Sequence, residues 1–154
     1  MKKPSKVFRY VILGTTLILF GGAMAQDALQ TQYHDTLDGL EVDLVKLDVQ
    51  NSILTMRFRV RHTGESKVTW QFNYSDCYIM DETNQKKYSA LKDSDGLYIA
   101  GPVYDKNNGG RFWFDFMPGQ TKGIWIKFPE PTDGPEAITI SLPNVSPFDA
   151  VKMK

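Results

Sequence analysis

The sequence has a single cysteine, Cys77, in 154 residues. One thiol closes no internal disulfide, so the domain must hold by its core alone. Histidine is nearly as scarce, with only His34 and His62. Two histidines and one cysteine in unrelated spacing give no zinc signature, which takes about four ligands. There is no G-x-S-x-G, no H-E-x-x-H, no C-x-x-C and no phosphate-cradling glycine loop. The chemistries those motifs serve have no support in the sequence. Beyond residue 25 there is also no convincing helical period, no internal repeat and no low-complexity tract.

One apolar run is present, at the start. "MKKPSKVFRY" carries Lys2, Lys3, Lys6 and Arg9 and no acid, "VILGTTLILFGG" follows, and "AMAQ" places Ala23 and Ala25 around Met24. A basic head, a short apolar stretch and an A-x-A site read as a secretory signal peptide. The run is short of the roughly 20 residues a spanning helix needs. Cleavage is expected between Ala25 and Gln26, which makes residues 1–25 a leader that meets the membrane only transiently. The location expected is periplasmic or secreted.

Without the leader the chain carries 14 basic and 18 acidic residues, a net charge of −4. That balance argues against nucleic-acid binding, which wants a basic field. Residues 26–36, "QDALQTQYHDT", are polar and aperiodic and read as a flexible tether. Residues 37–154 are then one domain.

From Leu40 onward the side chains alternate, apolar and polar, as strands require. "LEVDLVKLDV" (40–49) and "ILTMRFRVRH" (53–62) form a hairpin through "QNS". In the second strand Leu54, Met56, Phe58 and Val60 share one face, and Thr55, Arg57, Arg59 and Arg61 the other. The first strand changes phase, from Leu40, Val42 and Leu44 to Val45, Leu47 and Val49. A one-residue slip turns apolar side chains to water unless a bulge absorbs it. A bulge is therefore expected near Leu44–Lys46, with Asp43 opposite Arg59 and Glu41 opposite Arg61. The arginine stripe then reads as a solvated face whose charges pair across the hairpin.

Further strands are expected at "VTWQFNY" (68–74), "DCYIMDE" (76–82), "KYSAL" (87–91), "RFWFDF" (111–116), "GIWIKF" (123–128) and "AITISL" (137–142), with a short last one at Val151–Met153. Many short strands with regular turn signals read as an all-β antiparallel sandwich.

The segments "GLEVDLVKLDVQNSILTMRFRVRHTGES", "CYIMDETNQKKYSALKDSDG", "MPGQTKGIWIKFPEP" and "ITISLPNVSPFDAV" resemble secreted bacterial Ig-like sandwich domains of the immunoprotective-extracellular type. The likeness covers nearly all of residues 37–151. It implies an Ig-like β-sandwich in an exported protein. Cousins of that type often precede a peptidoglycan-binding domain of the outer-membrane-protein-A type; none is expected here after the sandwich. The resemblance brings no catalytic residues, and fold alone does not give function.

Three site readings follow. "DSDG", Asp93 to Gly96, has the look of a calcium loop. With Gly96 at loop position 6, Asp93 and Asp95 fall at positions 3 and 5, but Leu91 and Pro102 fall at positions 1 and 12, where oxygen ligands belong. A turn between strands is the better reading of Asp93 and Asp95, with a weak calcium site as the alternative. A Cys77–His62 dyad would make a small hydrolase or thiol enzyme, if the two side chains meet in space. Trp113 and Trp125 point away from the apolar sets of their strands and are the candidates for contact with a partner. The function expected is a non-enzymatic extracytoplasmic module that binds a protein or envelope component and carries no cofactor.

Overall fold

The structure, a computed structural model, describes residues 26–153. The expected leader and its Ala25–Gln26 cleavage site fall on or beyond the edge of the described residues. Eleven strands run in the order β1 (Gln30–Tyr33), β2 (Leu40–Gln50), β3 (Ile53–His62), β4 (Val68–Asn73), β5 (Tyr78–Asp81), β6 (Lys86–Ser89), β7 (Ala100–Gly101), β8 (Arg111–Phe116), β9 (Thr121–Pro129), β10 (Ala137–Ser141) and β11 (Phe148–Lys152). The only helical elements among the described residues are two single 3₁₀ turns.

The strands pair antiparallel throughout. One sheet has five strands in the order β1-β2-β3-β9-β7, a second has four in the order β11-β10-β5-β6, and β4 pairs with β8 apart from both. The apolar faces meet in one core, an all-β sandwich. Phe58 on β3 meets Phe148 on β11 with ring centroids 5.6 Å apart. Trp70, Phe72 and Phe112 of the β4–β8 pair cluster at 4.9 to 5.4 Å. Leu54, Met56 and Val60, on the face expected to be inward, are wholly buried.

The hairpin has the expected register. Asp43 lies opposite Arg59 and Glu41 opposite Arg61, and the register shifts between Leu44 and Lys46. Asn51 and Ser52 both take positive φ, 51° and 61°. That is the hairpin turn whose twist matches the twist of the strands it joins.

The expected tether is structured. Gln30–Tyr33 forms β1 on the edge of β2, with Gln30 opposite Leu44 and Tyr33 opposite Glu41. The unpaired backbone of β2 supplies the pairing, so β1 needs no apolar pattern of its own. His34 follows, buried, and bridges to Val145. Its Nδ1 accepts the N–H groups of Thr36 (3.2 Å) and Leu37 (3.0 Å).

Candidate functional site

Each strand of the five-stranded sheet turns one set of side chains outward, away from the core. At one end of that outer face Asp43 is fully buried. The expected solvated pairing is therefore corrected at this residue: Thr31 on the neighbouring β1 and the side chains of Arg59 and Arg61 close around it. Its carboxylate accepts from Thr31 Oγ1 (2.8 Å), Arg59 Nε (2.8 Å), Arg61 Nε (2.8 Å) and Arg61 Nη2 (2.9 Å). Arg61 also reaches Glu41 at 2.8 Å. Burial pushes the Asp43 carboxyl up, and the hydrogen bonds from Arg61, Thr31 and Arg59 more than reverse it, leaving a pKa of about 2. This cluster is a satisfied ion network that ties β1, β2 and β3 together.

The middle of the same face is different. Trp125 on β9 lies opposite Arg57 on β3 and, on its other side, opposite Gly101 on β7. The indole rests on Gly101, where an added Cβ would come within 2.7 Å of Trp125 Nε1. The ring is thus held against the backbone of β7 while remaining 40% exposed. Beside it Gly123, opposite Arg59, contributes no side chain. The result is a groove of about 580 Å³ lined by Trp125, Gly123, Arg57, Lys127, Thr55 and Gln26, among others.

The charges around the groove do not balance. Arg59 and Arg61 are paired to acids, and Lys46 lies 3.6 Å from Asp48. Arg57 and Lys127 make no ion pair among the described residues. Two surplus cations therefore stand beside a fixed aromatic surface.

Trp113 is exposed as well, at 38%, but on β8, in a different sheet from Trp125. The two tryptophans belong to separate patches. Trp113 packs against Tyr104 at 5.3 Å, and the Arg111 guanidinium lies 4.3 Å from its ring centre. Arg111 is engaged by Asp105 at 3.5 Å, so this patch carries no surplus charge at that residue.

The remaining candidates are placed as follows. Asp93 Oδ1 accepts the N–H groups of Asp95 and Leu97, both at 2.9 Å, and Asp93 O accepts from Gly96 N–H at 3.1 Å. That is the local chemistry of an Asx turn. Among the described residues no group of three or more His, Cys, Asp or Glu is arranged to hold a metal ion. Cys77 is buried, and burial pushes its thiol well up, away from the reactive thiolate. His62 is spent elsewhere: Nε2 lies 2.6 Å from Ser66 O and Nδ1 3.3 Å from Gly39 O. No hydrogen bond joins Cys77 to His62.

Sequence reasoning picked out Trp125 and missed its companions. Arg57 was read as one of a stripe, and the β3–β9 pairing that sets it beside the indole spans a long stretch of chain. One signal was available: a glycine inside "TKGIWIKF" marks close approach or an opening in a strand.

No family model matches the chain, and no curated protein matches it. Among solved structures it is similar to the yjhA protein from Bacillus subtilis, at 11% identity over 82% of this chain and 84% of that one, with a TM-score of 0.47. It is also similar to a functionally unknown protein from Listeria monocytogenes EGD-e, at 11% identity over 80% of this chain and 87% of that one, with a TM-score of 0.41.

Proposed function

We propose that this protein is a non-enzymatic extracytoplasmic module, periplasmic or secreted, that binds a protein or cell-envelope component through the outer face of the five-stranded sheet. The observation that carries the reading is Trp125, seated on Gly101, open to solvent and flanked by Arg57 and Lys127 without acidic partners. A large ring held in place loses little freedom on binding. Unpaired cations beside it give a partner charge to meet. The basic, apolar and A-x-A pattern of residues 1–25 supports export, and the resemblance to immunoprotective-extracellular Ig-like domains supports the same compartment. An enzyme built on Cys77 and His62 finds no support in the geometry, since His62 is bound to backbone carbonyls and the Cys77 thiol is closed off.

A second contact surface is favoured by the Tyr104–Trp113 pair, with Tyr104 60% exposed. Crosslinking in the native envelope fraction separates the two. The unaltered protein is expected to capture a partner, Trp125→Ala to lose it and Trp113→Ala to keep it. The reverse pattern moves the contact to the Tyr104–Trp113 patch. Equal capture by all three would overturn the aromatic-surface reading altogether.

A further inference from the structure

The geometry points to an acidic polysaccharide, a chain of carboxylate-bearing sugar rings, as the ligand of the Trp125 groove. This rests on the reading of that groove as the contact face. Three observations select the class.

The first is charge. The acids that β2 carries on this face are all engaged: Glu41 with Arg61, Asp43 with Arg59 and Arg61, and Asp48 with Lys46. Arg57 and Lys127 are the surplus, and they flank one aromatic ring in a chain whose residues 26–154 sum to −4. A guanidinium forks well onto a carboxylate, and an ammonium adds a second point of attraction. The ligand is therefore anionic.

The second is shape. The indole is flat, fixed from below by Gly101 and open above, and Gly123 leaves a shallow floor beside it. A sugar ring offers a flat face of C–H groups to such a surface and hydroxyls around its rim. Thr55 and Gln26, in the groove lining, supply the polar groups that meet those hydroxyls.

The third separates a polysaccharide from an acidic peptide. Extended peptides take much of their affinity from backbone hydrogen bonds to a free sheet edge. The groove lies on the face of β3, which is paired on both edges, and of β9, whose outer edge is taken by β7 at Trp125 and Ile126. A peptide crossing that face at Trp125 has no ladder to join. A polysaccharide needs none.

The test is a calorimetric titration of the full chain, expressed with its own N-terminal segment, against four probes: polygalacturonate, neutral dextran, poly-L-glutamate and oligo-dT. Polygalacturonate is expected to bind, more weakly as salt rises. Trp125→Ala and the double variant Arg57→Gln/Lys127→Gln each weaken it by at least about tenfold. Trp125→Phe retains part of the affinity, and Trp113→Ala leaves it unchanged. All these side chains are at least partly exposed, and matched thermal melts confirm that the variants fold. Dextran binding as tightly as polygalacturonate overturns the charge argument. Poly-L-glutamate or oligo-dT binding as tightly, with the same variant losses, overturns the polysaccharide class and leaves the groove standing. Polygalacturonate binding that no variant alters overturns both the class and the groove. Binding of no probe overturns the class, and the contact face then stands or falls by the crosslinking experiment.

Discussion

Asp43 and Gly101 illustrate two ways in which a single position governs the outer face. Asp43 is a buried carboxylate held by two arginines and a threonine. Its folded pKa of about 2 lies below the ordinary value of 3.8. A lowered carboxylate pKa adds stability that is complete above the unfolded value and disappears as pH falls through the folded one. The contribution is about 2 kcal/mol at neutral pH. Urea midpoints taken across the acid range should therefore fall between about pH 4 and pH 2. Asp43→Asn should flatten that part of the curve while costing about 1–3 kcal/mol at neutral pH. Gly101 acts by having no side chain. In Gly101→Ala the new methyl meets the Trp125 indole at 2.7 Å. Because the ring is 40% exposed, it is expected to swing outward and spare the core. Chemical denaturation should show a loss of no more than about 1 kcal/mol. Partner capture should fall as it does in Trp125→Ala.

The turn that leads from β1 into β2 is held by His34, and the hold depends on pH. Nδ1 accepts two backbone N–H groups, which requires the ring to be neutral on that side. Burial lowers the His34 pKa, and Asp35 opposes it more weakly. The unfolded chain takes up the proton first, so stability should begin to fall as pH drops below the ordinary value of 6.5. His34→Asn keeps an acceptor near the same place and removes the titration. Its melting temperature should change less between pH 7.5 and about pH 5.5 than that of the native protein. The strands differ in how plainly the sequence announces them. β2 and β3 could be read residue by residue, bulge included, because Leu44 and Lys46 bracket a change of phase that only an extra residue accommodates. β1 could not, because "QTQY" carries no apolar alternation and takes its order from the edge it joins. The seat of Trp125 was equally hidden. It depends on β7, two residues long, arriving beside β9 after the Asp93–Gly96 turn. Exposure of Trp113 and Trp125 followed from alternation alone, whereas their separation into different sheets followed from pairings between distant segments.

Across the whole molecule the core admits no solvent to its one thiol. Cys77 has no exposed surface, and its pKa is pushed well up. A thiol-reactive disulfide reagent should leave the native protein unmodified and react fully in denaturant, at a native-state rate set by how often the core opens. The same core is assembled from both ends of the chain. Asp35 N–H donates to Asn144 O, Ser146 N–H to Tyr33 O and Gln30 Nε2 to Asp149 O. Phe148 and Val151 fill the interior beside strands laid down far earlier in the sequence. During synthesis, then, β1, β2 and β3 can pair as they emerge, but the core they cover closes only when Phe148 and Val151 follow. Contacts this distant in sequence also make for slow folding, in milliseconds to seconds. A chain stopped short of Phe148 should stay unfolded, as thermal melting of the truncated protein would show, because its core lacks the ring that packs on Phe58.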